Sequence, residues 1–276
     1  MEKKCNTLKC KPLFMVLMFL CLFACKASSA AEPDVQVPRE TRVSKTPTHI
    51  VIDGFGNEAA WENATPLENF VDIEGTPDKH PAWQTRVRLL WNDEFLYVLA
   101  TLEETHVWGN IKARDAVIYE NNAFEIFINP DDTQTGYVEF EINALGTLWD
   151  LRLNKPYREG GIADSSWNAQ NLEVNVAVTG TLNDPSDLDS GWTAEWAIPI
   201  AEVSNLFQAE WPPVRPWRVN FMRVQWQPEI VEGGYWRLRD DSGQILPANF
   251  SVWTPQHAVD MHRPEHWGYL YFQEVP

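Results

Sequence analysis

The feature that most constrains the fold is a succession of short extended segments, each bounded by turn residues, from residue 50 onward. The segments TRVRLLW and EFLYVLATLEE flank the turn dipeptide Asn92–Asp93 and predict a hairpin. Helical periodicity is confined to residues 199–207, where Pro199 suits the first turn of a short helix. The other extended segments are AFEIFIN, YVEFEIN, TLWDLRL, LEVNVAV, GWTAEWAIP, WRVNFMRVQW and GYLYF. This pattern predicts an all-β fold, an antiparallel β-sandwich or jelly roll with at most short helices.

Residues 1–25 have the character of an export signal. Lysines precede an apolar run over residues 12–24, which is shorter than the roughly 18–20 residues of a membrane span. The tetrapeptide LFAC at 22–25 resembles a bacterial lipobox, which predicts cleavage before Cys25 and a lipid on its thiol. Cleavage after Ala30 is the alternative and would release a soluble protein. Either route exports the protein; Lys26 after Cys25 is compatible with the outer membrane of the cell envelope.

The remaining chain divides into a tether and a domain. Residues 26–45 are small, polar and proline-containing, which is typical of a flexible tether. Residues 46–276 are long enough to bury a sizeable core, and β-proteins of that length commonly form one domain. All four cysteines lie in residues 1–25, so this domain has no disulfide and no thiolate metal site.

The charge of the chain excludes one class of partner. The whole chain carries −17, and residues 1–25 carry four lysines against one glutamate, so the exported part carries −20. Such a surface repels phosphate backbones, and nucleic acid is therefore not an expected partner. Fourteen tryptophans, all beyond residue 25, point elsewhere. Their faces stack on sugar rings, while amides and charged groups bind sugar hydroxyls.

Alternation within three consecutive segments predicts a polar sheet face. Phe124, Ile126 and Ile128 form one apolar row, and the intervening side chains point the other way. A solvated outer face is the simplest interpretation; a face that holds a ligand or a cation is the alternative. By the same phasing Trp149 is assigned to the core, and a platform for a sugar ring is the alternative. The predicted polar face consists of Glu125, Glu139, Glu141, Asn143, Asp150, Arg152 and Asn154.

Catalysis and metal binding have weaker signals. Glu139 and Glu141 lie two apart on one strand, roughly 6.5–7 Å between Cα atoms, near the carboxyl separation of inverting glycosidases. Any strand with two carboxylates at this spacing would show the same feature. The Asn129–Asp132 turn has the oxygen-rich composition that suits structural calcium, although a plain turn explains it equally well.

Several motifs together resemble family 9 carbohydrate-binding modules, in a family 9-like branch carried by lipoproteins. The resemblance covers residues 48–273 and is strong because the motifs occur in a fixed order. They are Ile52–Gly54 with Glu58–Trp61, Arg114–Pro130, Tyr137–Ala144, Leu148–Leu151, Asn154–Tyr157, Phe221–Trp226, Trp253–Pro255 and His262–Gly268.

The resemblance implies a β-sandwich that binds sugar, often with bound calcium, in proteins that degrade xylan or cellulose. In that family two tryptophans clamp a terminal sugar, and polar side chains bind its hydroxyls. The implied clamp here is Trp108 and Trp253, and the implied polar contacts are Arg114, Asn122, Gln225 and Trp226. The resemblance covers residues 48–273, so we expect no hydrolase domain within this sequence, unlike in the enzyme-borne modules.

Three functions follow as expectations. The first is non-catalytic binding of a xylan- or cellulose-type glycan at the cell envelope in support of polysaccharide catabolism, in possible association with O-glycosyl hydrolases. An interaction lipoprotein that has lost sugar binding is the second, and it would show its tryptophans buried. A glycan-hydrolysing accessory enzyme is the third, and it would need two convergent carboxylates in a cleft.

Overall fold

A computed structural model describes residues 37–274. The signal and lipidation predictions, Cys25 included, lie outside these residues. One α-helix, α1, spans Ile200–Leu206, and short 3-10 helices span Ala59–Asn63, Ile118–Glu120, Tyr157–Glu159 and Pro264–His266. The strands are β1 (Glu40–Lys45), β2 (Val71–Asp72), β3 (Thr85–Trp91), β4 (Phe95–Glu103), β5 (Ala123–Asn129), β6 (Tyr137–Asn143), β7 (Leu148–Leu153), β8 (Ala163–Asp164), β9 (Glu173–Thr179), β10 (Gly191–Pro199), β11 (Trp217–Gln225), β12 (Pro228–Val231), β13 (Gly234–Arg237), β14 (Asn249–Val252) and β15 (Gly268–Gln273).

Most strands form one curled sheet whose two halves face each other. The order is β8-β7-β6-β5-β11-β15-β1-β3-β4-β10-β9, with β14 joined to β11 and β2; β12 and β13 form a separate hairpin. The main core lies between the halves and contains Phe140 of β6 and Trp196 of β10, whose rings lie 6.3 Å apart. The predicted all-β sandwich is confirmed, and the short helix α1 is present where Pro199 precedes it.

The first strand corrects the predicted tether. Residues 26–45 were expected to be flexible, yet Glu40–Lys45 form β1, which pairs in parallel with both β15 and β3. Its central residue Val43 is buried in the main core. The pattern ETRVSK has only one apolar side chain, so its burial depends on neighbours far along the chain rather than on local alternation. The described domain therefore begins before residue 46.

The hairpin predicted around Asn92 is present as β3 and β4. The Asn92 side chain accepts hydrogen bonds from the backbone N–H groups of Glu94 and Phe95, at 2.9 and 2.7 Å. This side-chain turn fixes the register that places Trp91 opposite Leu96. Among residues 37–274, no helix is both long and apolar enough to cross a membrane.

The motif at residues 52–61 stabilises the fold. The buried carboxylate of Glu195 accepts hydrogen bonds from the N–H groups of Asp53 and Gly54 and from the indole N–H of Trp61, at 3.2, 2.9 and 3.0 Å. Gly54 has φ of +89°, and a Cβ there would lie 2.8 Å from the backbone carbon of Val176. Only glycine fits this close approach. The motif therefore fastens the segment before β2 to β10.

Candidate functional site

A cavity of about 430 Å³ opens on the face of β5, β6 and β7 that points away from the main core. Its volume lies within the range of about 300–1,000 Å³ that is typical of ligand sites. Glu125, Glu139 and Glu141 line it together, and they are here called the carboxylate cluster. Apolar side chains complete the lower wall: Ile73, Phe127, Leu151, Met222 and Phe250.

Strand register brings the carboxylate cluster together. Glu125 of β5 lies directly opposite Glu141 of β6. Glu139 precedes Glu141 by two residues on β6, so its side chain points to the same face of the sheet. One oxygen from each of the three carboxylates lies within 4.8 Å of the others. Each side chain is at most 5% exposed. Rigid strands therefore hold three acidic groups side by side beneath the cavity.

Burial raises the pKa of all three groups, and repulsion by neighbouring carboxylates adds to the rise for Glu125 and Glu141. Burial raises the pKa of Glu125 well above its usual range, and the charge of Glu139 adds to the rise. Burial is also the main cause for Glu141, with further contributions from Glu125 and Glu139. The pKa of Glu139 rises to about 7 through burial, offset in part by its hydrogen bond with Glu141. The cluster therefore retains protons at pH values where exposed glutamates are ionised.

Aromatic side chains stand around the carboxylate cluster. Trp149 projects from β7 directly opposite Glu141, and its ring centroid lies 6.3 Å from that of Tyr119. Tyr119 and Tyr157 belong to short 3-10 helices and are each 45% exposed, so their rings form the rim. The indole N–H of Trp149 has no hydrogen-bond partner among the described residues. These rings offer faces for stacking and one free donor.

The segment 259–262 forms the remaining wall of the cavity. His262 packs edge-on against Tyr157, with ring centroids 4.4 Å apart, and its Nδ1 lies 2.9 Å from the hydroxyl of Tyr137. Burial lowers the pKa of His262 to about 4, so the imidazole is neutral at neutral pH. Asp260 also lines the cavity. In the described part of the chain, neither lysine nor arginine lines it.

The predicted polar face is correct for β5 and β6 and wrong for β7. Asp150 lies opposite Phe140 and Arg152 opposite Val138, on the core side of the sheet. Asp150 is fully buried there and accepts a hydrogen bond from the N–H of Ala169 at 2.7 Å. Arg152 pairs with Asp164 at 2.9 Å at the edge of the sheet.

Trp149 and Leu151 therefore face the carboxylate cluster. The assignment failed because both faces of this half-sheet bury apolar side chains, so alternation in LWDLRL does not identify the inner face. Asn154 follows the end of β7 and is exposed. Asn143 shares the face of the cluster, but its side chain is buried and donates to the carbonyl of Ile111 at 2.9 Å. Asn143 therefore fixes a loop.

The structure contradicts the tryptophan clamp. Trp253 is 3% exposed and lies in the main core, 6.0 Å from the ring of Phe221. Trp108 is 2% exposed and stacks on Tyr235 at 6.3 Å, away from the cavity. Position along the chain suggested both residues, but position does not show which way a ring points. The partly or fully exposed rings that line the cavity are those of Tyr119, Trp149, Tyr157, Phe250 and His262.

The predicted polar contacts also lie outside the cavity. Asn122 and Gln225 both donate to the buried carboxylate of Glu104, Gln225 at 2.6 Å and Asn122 at 3.1 Å. Arg114 makes an ion pair with the Asp150 carboxylate instead. Of these four residues, Trp226 contacts a residue that lines the cavity. Its indole N–H donates to the backbone carbonyl of Tyr119 at 2.8 Å. Trp226 therefore holds the 3-10 helix that carries Tyr119.

Other protein groups engage part of the oxygen set of the Asn129–Asp132 turn. Asp131 Oδ1 accepts from the side chain of Asn129 at 3.0 Å and from the hydroxyl of Thr133 at 2.6 Å. Asp132 pairs with the guanidinium of Arg218. Asn129 Oδ1, in the same turn, is buried and has no hydrogen-bond partner among the described residues. Structural calcium at this turn therefore stays a prediction.

The carboxylate cluster does not have the arrangement of a glycosidase. In glycosidases two carboxyl groups flank the scissile bond, at about 5–5.5 Å in retaining enzymes and about 6.5–9.5 Å in inverting ones. Here all three groups come from one sheet face, and one oxygen from each lies within 4.8 Å of the others. A ligand above them meets carboxylates from one side. This geometry favours holding a ligand over hydrolysing it.

Comparison with known proteins places the N-terminal half of the domain in a family. Residues 52–152 match the model of the carbohydrate family 9 binding domain-like family. This segment of the chain belongs to that family. The matched residues include the whole carboxylate cluster, Tyr119 and Trp149. Tyr157 and the segment 259–262 lie outside the match.

One curated protein is similar in sequence over a short stretch, and solved structures are similar in fold. Endo-1,4-beta-xylanase A of Thermotoga maritima is 32% identical over 89 residues, which are 32% of this chain and 8% of the xylanase. A protein of Bacteroides uniformis superposes with a TM-score of 0.60 at 16% identity, over 86% of this chain and all of that one. A family 9 module from Caldicellulosiruptor kristjanssonii, solved with cellotriose and with glucose, superposes with a TM-score of 0.52 at 14% identity. These two alignments cover 86% of this chain and 95% and 97% of the module.

Proposed function

We propose that the cavity binds a carbohydrate without cleaving it, and that its ligand is an oligosaccharide or polysaccharide of the xylan or cellulose type. The observation that carries the proposal is the combination of exposed aromatic rings with buried hydrogen-bonding groups in one cavity. The family of residues 52–152 and the sugars named for the related modules support it.

The chemistry of the wall suits a pyranose. The apolar C–H face of the ring can lie against Tyr119, Trp149 or Tyr157, as amphipathic rings generally do in such sites. Hydroxyl groups can then reach the carboxylate cluster, which offers acceptors when ionised and donors when protonated. The indole N–H of Trp149 is a further donor for a ring or hydroxyl oxygen.

We also propose the cellular setting predicted from the leader. A lipid on Cys25 would hold this module at the bacterial cell envelope, where a bound glycan would be near degrading enzymes. Labelling of the expressed protein with a radioactive fatty acid tests this. We expect incorporation into the wild type and none into Cys25→Ser.

Calorimetric titration of the full chain with cello- and xylo-oligosaccharides tests the binding function. We expect saturable binding that Tyr119→Ala and Tyr157→Ala weaken by about tenfold each, or ~1.4 kcal/mol, because each substitution removes one face of the cavity.

Trp236→Ala is the matched control, because Trp236 is 57% exposed and does not line the cavity. It should bind as the wild type does. Saturable binding that survives both tyrosine substitutions but disappears in Trp236→Ala would place the site elsewhere. Absence of binding across both glycan series would instead favour the interaction protein.

A further inference from the structure

The carboxylate cluster has a charge that the described protein does not balance. Glu125, Glu139 and Glu141 make no ion pair with any described lysine, arginine or histidine, and nothing cationic lines the cavity. Buried charges in proteins are normally paired, because transfer of an unpaired carboxylate from water is costly. The cluster is therefore incomplete without protons or a cation.

Two oxygen atoms identify where a partner is missing. Glu125 Oε1 and Glu141 Oε2 are buried and have no hydrogen-bond partner among the described residues. Both side chains are 2% exposed and line the cavity. Unsatisfied buried acceptors at a ligand cavity indicate a donor that arrives with the ligand.

A metal ion and an ammonium group place different demands on this site. Calcium takes six to eight oxygen ligands, whereas the wall beyond the cluster is largely apolar and aromatic. An ammonium group has three donors and no acceptor, which matches three converging carboxylates. The rings of Tyr119, Trp149 and Tyr157 add favourable cation–π contacts beside it.

We infer that the ligand of this cavity is an amino sugar whose free ammonium group lies on Glu125, Glu139 and Glu141. The inference rests on the proposed function and deepens it by naming a class of sugar. A 2-amino-2-deoxyglucose residue keeps the pyranose faces that the aromatic rings bind. The raised pKa values of the cluster agree, because a bound cation would replace the protons that it holds.

Titration of the full chain at pH 6 with β-1,4-linked trimers of glucosamine, N-acetylglucosamine and glucose tests the inference. We expect the glucosamine trimer to bind at least about tenfold more tightly than the other two, since only it carries ammonium groups. Glu141→Gln should remove this preference. Glu94→Gln is the control, because Glu94 is an exposed carboxylate outside the cavity, and it should keep the preference.

The same titration in two buffers of different ionisation enthalpy gives a second measurement. Binding of an ammonium group keeps the carboxylates ionised, so protons should leave the protein. The glucose trimer should release none. Equal affinity for the three trimers, or binding that requires added calcium, would overturn the inference and leave carbohydrate binding intact. Absence of binding to all three trimers and to xylo-oligosaccharides would overturn both proposals.

Discussion

Two groups of buried glutamates in this protein have opposite surroundings. Glu104 is 3% exposed, yet its carboxylate lies 3.4 Å from the guanidinium of Arg223 and accepts hydrogen bonds from Asn122 and Gln225. The carboxylate cluster is buried to the same degree and has no protein cation. In both places burial raises the pKa, but only for Glu104 does an arginine oppose the rise. Glu104, whose oxygens have a cation and amide donors of the protein, serves the fold, whereas the carboxylate cluster keeps buried oxygens that no described residue satisfies.

The largest change in the free energy of unfolding should come from removal of the Arg223 guanidinium. Arg223→Met is expected to destabilise the fold by about 3–5 kcal/mol, because it leaves Glu104 buried and unpaired. Urea unfolding followed by tryptophan fluorescence measures this. The double variant Arg223→Met/Glu104→Gln should recover much of the loss. A loss below about 1 kcal/mol in the single variant would show that the pair does not stabilise the fold.

Neutralisation of one glutamate in the carboxylate cluster should increase the free energy of unfolding, whereas loss of Arg223 should decrease it. The folded pKa of Glu139, about 7, exceeds its unfolded value, so the folded state binds more protons between these two values. This contribution to stability is complete below the unfolded pKa and is lost as pH rises through about 7. Glu139→Gln should therefore be more stable than the wild type at pH 8, by up to about 3 kcal/mol, and by less at pH 5.

His262 contributes a pH dependence of its own, because its folded pKa is lowered to about 4 and protonation of the unfolded chain destabilises the fold below the usual histidine value. The difference between wild type and Glu139→Gln at each pH removes this contribution. A difference that does not change between pH 5 and pH 8 would contradict the raised pKa of Glu139.

A smaller loss is expected at Gln225. Gln225→Ala removes the hydrogen bond to Glu104, and bonds to charged groups contribute about 1.5–3 kcal/mol. Because Gln225 does not line the cavity, sugar affinity should stay unchanged while the urea midpoint falls. If Gln225→Ala instead had normal stability and weakened sugar binding, Gln225 would be a contact to the sugar, as the sequence predicted.

The smallest effect should be at the surface. Arg86 and Glu68 form an ion pair at 2.5 Å, with 42% and 44% of their side chains exposed. Arg86→Ala should change the free energy of unfolding by less than about 1 kcal/mol, because solvent screens exposed pairs. Chemical denaturation in low and high salt checks this; a loss as large as that of Arg223→Met would remove the distinction between buried and exposed pairs.

The sequence predicted most of the fold because alternation and turn residues are local signals. The hairpin at Asn92, the strands β5 and β6 and the helix after Pro199 all followed from such signals. Strand β1 did not, since its burial depends on β15 and β3. The apolar row of β7 was assigned to the wrong face, because both faces of this half-sheet are covered.

The candidate site was only partly accessible from the sequence. Glu125, Glu139 and Glu141 were placed together from alternation alone, and the structure puts them side by side. Tyr119 and Tyr157 lie within the motifs that carried the family resemblance, but no periodicity marks a residue in a 3-10 helix as exposed. The segment 259–262 reaches the cavity through tertiary packing, which leaves no local signal. The buried tryptophans show that composition does not distinguish a core ring from a binding ring.

The place of β1 in the sheet has a consequence for the order of assembly. Glu40 pairs with Tyr269 and Lys45 with Trp91, so β1 joins the two halves only when a strand from more than 200 residues later is present. Contacts between such distant residues form late and make folding slow. A chain that emerges from a membrane pore amino end first would therefore keep its sheet open until β15 has passed. The sheet closes only when the last strand of the chain pairs with the first.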